Sequence, residues 1–153
     1  MQDAATLVRG QGIDAMGLVL RVGARRLGGA ASIHEGVLAP DELVPPHTHS
    51  REDQCLYVVS GRVIVEVGDE LVDAAAGSFV IKPMGLPHAF WNPAPSPAHV
   101  LEITSPGGFE SFYDEMSMVE GPDDAAAVTD RYAMTFHYDR VAAVRARFAS
   151  YVE

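Results

Sequence analysis

Two histidines separated by one residue, His47 and His49 in PPHTHSREDQCLYVVSG, are the first residues whose type and spacing point to chemistry. On an extended strand side chains alternate between faces, so positions i and i+2 project together and both imidazoles can hold one ion. Gln54 follows where the chain enters QCLYVVSG, and an antiparallel barrel can bring a residue there back toward the histidine pair. His88 lies in GSFVIKPMGLPHAFWN, in a turn rich in Pro and Gly that fixes the backbone and aims one imidazole inward. His34, His99 and His137 have no such spacing, and taken singly they read as surface or hydrogen-bonded core residues.

The elements that must position these side chains are short and β-rich. From Met16 to Ser105 the chain offers MGLVLRV, ASIHEGVLA, QCLYVVSG, RVIVEVGD, GSFVIK, HAFWN and AHVLEIT, punctuated by Gly, Pro and Asp. Their close, even spacing predicts an all-β sandwich or barrel rather than βαβ units. Ser60-Gly61-Arg62 predicts a hairpin joining CLYVVSG to VIVEVG, and Gly68-Asp69 closes the next ribbon. After Pro106 the period changes. Phe109, Phe112, Tyr113 and Met116 fall at helical spacing, Val141, Val144, Phe148 and Val152 make a second stripe, and Pro122 followed by Asp123 and Asp124 suits a third short helix. The predicted organisation is an N-terminal segment 1–14, a barrel 15–105 and a helical appendage 106–153 packed on the barrel or on a partner subunit.

Composition bounds the function. The 153 residues are 48% hydrophobic and 21% charged, as in one folded domain. Lys plus Arg number 11 against 21 Asp plus Glu, a net charge of -10, which leaves no general basic surface for nucleic acid. MQDAATLVRGQG lacks the apolar core of a signal peptide, and no apolar run reaches the ~18 residues of a membrane span. The expectation is a cytoplasmic protein with no membrane contact. Cys55, the single cysteine, has no internal disulfide partner and reads as a space-filling thiol in an apolar run.

The motifs resemble those of the cupins, Gly-x5-His-x-His-x3,4-Glu-x6-Gly and Gly-x5-Pro-x-Gly-x2-His-x3-Asn. The second is matched at Gly77, Pro83, Gly85, His88 and Asn92. The first is matched at His47, His49 and Gly61, with Gln54 in place of Glu and Asp41 in place of the leading Gly. The resemblance implies a double-stranded β-helix, or jelly-roll barrel, with a C-terminal helical appendage and a divalent transition metal ion held by His47, His49, Gln54 and His88. The chain is similar to small single-domain cupins described as quercetin dioxygenase-like, which share stretches like HEGVLAPDELVPPHTH and ITSPGGFESFYDEM. Cupins are commonly homodimers, and a homodimer is the expectation here.

Gln54 offers a neutral amide oxygen and cannot accept a proton at neutral pH, so another carboxylate must serve as any base. Glu35, in IHEGVLA, is the candidate near the barrel mouth, and Glu52 is a weaker one on the connecting turn. Val44, Leu56, Val58, Phe79, Ile81, Phe90 and Trp91 are candidates for a dry pocket, with His99 grouped by alternation with Leu101 and Ile103 as inward-facing. The donor set suits Fe, Ni, Mn, Co, Cu or Zn. The expected function is a quercetinase-like dioxygenase acting on a small enolic, diketone or aromatic diol substrate by chelation. The alternatives are a non-redox isomerase, epimerase or polyketide-cyclase-like enzyme, and a non-catalytic small-molecule-binding cupin.

Overall fold

In the computed structural model, which describes residues 13–15 and 18–152, the β-rich runs form eleven strands. In chain order these are β1 (Ile13–Ala15), β2 (Leu18–Val22), β3 (Ser32–Leu38), β4 (Leu43–His49), β5 (Asp53–Ser60), β6 (Arg62–Val67), β7 (Glu70–Ala75), β8 (Phe79–Lys82), β9 (His88–Trp91), β10 (Ala98–Ser105) and β11 (Met134–Phe136). Three helices follow the barrel strands: α1 (Glu110–Met116), α2 (Pro122–Arg131) and α3 (Val141–Val152). The strands divide into sheet A, ordered β1-β2-β3-β10-β5-β8, and sheet B, ordered β11-β4-β9-β6-β7, with antiparallel pairing throughout. Most of the proposed N-terminal segment 1–14 lies outside the described residues. Its last positions already pair with β2, Ile13 opposite Leu20.

Between the sheets the inward side chains close one core: Leu38, Leu56 and Val58 meet Val63, Val65, Val80 and Phe90. Each fully buried aliphatic side chain of this kind contributes about 1.5–3 kcal/mol. The turn at Gly61 does not join a hairpin, because β5 pairs with β10 and β8, whereas β6 pairs with β7 and β9. Gly61 instead carries the chain from one sheet to the other. Its φ is +86°, and a Cβ there would come 2.9 Å from Ala98 Cα, so the crossing needs glycine. The ribbon at Gly68-Asp69 is a hairpin, with Val67 opposite Glu70.

Two strands turn the face opposite to simple apolar alternation. On β10 the buried set is Ala98, Val100, Glu102 and Thr104, while His99, Leu101 and Ile103 lie on the outer side. On β8 the buried residues are Val80 and Lys82, leaving Phe79 and Ile81 outside at 64% and 59% exposure. The physical reason is one buried ion pair: Lys82 Nζ lies 2.6 Å from Glu102 Oε2, and only the inward register lets the two meet across β5.

The appendage is not wholly helical, since β11 adds a strand to sheet B. α3 covers the outer face of that sheet, where Val144 and Phe148 pack on Ile64 and Ala89 and Phe148 stacks on Trp91. Glu66, 1% exposed on that face, receives Arg140 at 3.1 Å and Arg147 at 2.7 Å. α1, α2 and β11 form a second apolar cluster around Phe109, Phe112, Val128 and Met134.

Candidate metal centre

The strand that presents His47 and His49 carries a bulge. Val44 pairs with Phe90 and His47 with His88, so β4 has one residue more than β9 between these pairs. Pro45 and Pro46 occupy it, as residues without an N–H tolerate a broken ladder. The extra residue brings Val44 and His47, of opposite parity, to the same cavity. His88 opens β9 directly opposite His47. Before it the Pro83-to-Leu86 turn is pinned by Gly85 N–H donating to the His49 carbonyl at 2.8 Å, with Gly85 at φ +80°.

His47, His49 and His88 are 5%, 2% and 1% exposed, and each offers a ligand atom within 4.8 Å of the others. A carbonyl can only accept, so contacts from His47 Nδ1 to Pro45 O at 2.7 Å and from His88 Nδ1 to Leu86 O at 3.1 Å place the ring proton on Nδ1 and leave Nε2 as a lone-pair donor. His88 Nε2 is buried with no protein partner. Burial first, and the neighbouring rings and Lys82 after it, hold His88 far below the usual imidazole range, and burial with His49 lowers His47 to about 3. Both rings are neutral donors at physiological pH.

Gln54 is 3% exposed and lines the same cavity as His47 and His49. Its Nε2 donates to Thr104 Oγ1 at 3.3 Å while its Oε1 is buried without a partner. Three imidazole nitrogens and an unpartnered amide oxygen fit a borderline divalent ion of the first transition row.

The cavity in front of these donors measures about 400 Å³. Val44 and Phe90 line it as expected, together with Val37, Leu38 and Val100. Leu56 and Val58 are fully buried in the core behind it. Phe79 and Ile81, outside on β8, and Trp91, under α3 with its Nε1 donating to Asp41 at 2.9 Å, do not line it. His99 sits half-buried on the outer side of β10. Glu35 faces outward too. It is ion-paired with Arg21 at 2.6 Å, so it is not placed to act as a base in the cavity. Glu52, in contrast, is buried beside His49.

Several lining residues had no place in the expectation. Glu102 contributes a carboxylate with one oxygen on Lys82 and the other buried without a partner. Its only signal was a charge inside the apolar run AHVLEIT. Phe112, Tyr113, Met134, Phe136 and Tyr138 form a wall supplied by the appendage. β11 pairs with the ligand strand itself, Met134 opposite His49 and Phe136 opposite His47, and Phe109 meets the His49 ring edge-on at 4.5 Å. Burial, reinforced by Glu102 and Glu52, pushes the Tyr113 phenol far up, so it stays a neutral donor. Of the other histidines, His34 is buried against Tyr113 and His137 bonds Thr48 Oγ1 at 2.8 Å, both apart from the cluster of three. Burial pushes the Cys55 thiol up, as suits a packing residue.

Among known proteins, no curated sequence matches the chain. Solved structures do. The TT1209 protein of Thermus thermophilus is 27% identical over 69% of this chain and 96% of its own, with a TM-score of 0.54. KdgF from Halomonas sp. is 19% identical over 70% and 97%, with a TM-score of 0.58, and a predicted oxalate decarboxylase from Thermotoga maritima is 18% identical over 57% and 77%, with a TM-score of 0.55. The latter two establish likeness of fold alone. The sequence profile of the cupin domain matches residues 34–104, the stretch from β3 to β10 that contains all three clustered histidines.

Proposed function

We propose that the protein is a metal-dependent enzyme that binds a small enol, diketone or aromatic diol through two oxygens and oxidises it with O₂. The observation that carries this is the buried cluster of His47, His49 and His88, of which His47 and His49 line, together with Gln54, a cavity of about 400 Å³ with largely apolar walls. A divalent transition ion held by these four residues supplies Lewis acidity and, where it is redox-active, electron transfer with O₂. Because all four donors are neutral, the set favours a substrate that arrives as, or becomes, an anion. Glu102, fixed by Lys82 and lining the cavity, is a buried carboxylate able to take the proton such a substrate loses. Tyr113, a neutral phenol on the cavity wall, is available to donate to a substrate oxygen.

A non-redox isomerase or cyclase is the second reading, favoured by Glu102 because such reactions need a protein group that returns the proton it removes. Metal content per chain and oxygen uptake with a flavonol, catechol and pentane-2,4-dione test the choice. Uptake matched to substrate loss and abolished by His49→Ala supports the dioxygenase. Conversion without uptake moves the assignment to the second reading, and binding without turnover under every metal leaves a binding module.

A further inference from the structure

The outer nitrogens of the three clustered imidazoles do not have equivalent partners. His47 and His88 each donate Nδ1–H to a backbone carbonyl two residues upstream, whereas His49 Nδ1 faces the Glu52 carboxylate, with Oε2 at 3.5 Å. Both atoms are buried and neither has a hydrogen-bond partner elsewhere. The Glu52 side chain is only 10% exposed, so water does not satisfy its charge in the manner of a surface acid. A buried carboxylate without a cation is costly unless something nearby carries positive charge. Glu102, a buried acid that lines the cavity, already has Lys82.

We propose that Glu52 is a positioning residue of the metal centre: it holds the His49 ring with Nε2 toward the ion and returns, one residue further out, the negative charge that Gln54 withholds from the donor set. A carboxylate on the far nitrogen fixes the tautomer of a ligating imidazole and raises its basicity. It also lowers the net charge that four neutral donors leave on a divalent ion. Glu52 therefore acts on binding strength and ring orientation, without touching substrate. The proposal rests on the cluster being a metal centre, and its test separates the two.

The metal-free full chain is titrated with Zn²⁺ against a chromophoric chelator near neutral pH. Glu52→Gln is expected to weaken binding by about 10–100-fold. Adding Gln54→Glu to that variant is expected to recover most of the loss, because the charge is supplied again at a donor position. An unchanged Kd in Glu52→Gln, or no recovery in the double variant, overturns the proposal. Undiminished binding in His49→Ala overturns the metal centre itself, a different failure. Nitrogen NMR of the unsubstituted metal-free protein needs no variant: the His49 ring is expected with its proton on Nδ1, and a proton on Nε2 overturns the assigned role.

Discussion

Replacing Lys82 with methionine keeps an unbranched side chain in its place but removes the cation facing Glu102. The two charged groups lie 2.6 Å apart with side chains 0% and 7% exposed, and Lys82 also stands 4.8 Å over the Phe90 ring. Taking one partner from a pair this deep strands the other charge, at a cost of about 3–5 kcal/mol. With a urea m-value of about 2 kcal/mol/M for a chain of this size, the unfolding midpoint of Lys82→Met should fall by roughly 2 M. The double variant Lys82→Met/Glu102→Leu removes both charges and should return to within about 1 kcal/mol of the unsubstituted protein, or exceed it, because the pair's attraction barely offsets its desolvation. Urea titrations of the metal-free proteins followed by circular dichroism read both numbers. A single variant within about 1 kcal/mol of the parent would mean that Glu102 finds water or another donor, and the buried pair would be refuted. A stable double variant without turnover would show that the pair is kept for its proton chemistry, at the expense of stability.

Acid should destabilise the metal-free protein early. Burial holds His47, His88 and His34 below their ordinary value, His47 to about 3, so between pH 6.5 and that value the unfolded chain binds more protons than the folded one and stability falls as pH falls. For His47 the loss is about 2 kcal/mol at pH 5, and a urea midpoint no lower there than at neutral pH contradicts neutral burial. Phe148→Ala empties a site 1% exposed between α3 and sheet B and should cost about 3–5 kcal/mol by calorimetry; a loss below about 1.5 means that α3 docks by other contacts. Gly61→Ala must place a methyl 2.9 Å from Ala98 Cα at φ +86° and should leave little folded protein by circular dichroism, whereas a native melt means the crossing can shift. Among the described residues no helix covers the outer face of sheet A as α3 covers sheet B, and Phe79 and Ile81 stand exposed there, so sedimentation should give a dimer that Ile81→Asp dissociates. A monomer at micromolar concentration retires that prediction.

The parts of this molecule legible in its sequence are those set by short-range geometry. His47 and His49 share a face because strand side chains repeat every second residue, and the glycines of the turns mark backbone that few other residues adopt. What misled was contact between segments far apart in the chain. The outward placement of Phe79, Ile81 and His99 follows from Lys82 meeting Glu102 across an intervening strand, a pairing with no local signature. Apolar alternation chose the wrong face because a charged residue was assumed to seek water. The turn at Gly61 was recognisable as a reversal, but nothing in three residues says which sheet the chain enters next. β11, at three residues, is shorter than any period can reveal.

That short strand bears on the proposed chemistry, because it lies beside the ligand strand. The ligand strand β4 is flanked on one side by β9, which brings His88, and on the other by β11, which brings Met134 and Phe136 against His49 and His47. The first neighbour lies inside the stretch 34–104 matched as a cupin domain; the second lies outside it, as do Phe112, Tyr113 and Tyr138 of the same cavity. The donors and the buried Lys82–Glu102 pair thus belong to the barrel, and part of the cavity wall beside them belongs to the appendage. The clustered histidines therefore lie within the stretch matched as a cupin domain, while the aromatic part of the cavity wall, Phe112, Tyr113, Phe136 and Tyr138, lies outside it. Substitutions at Phe112, Met134 or Phe136 should therefore change which chelating substrate is accepted without changing metal affinity, whereas those at His47, His49 and His88 should act on the metal first.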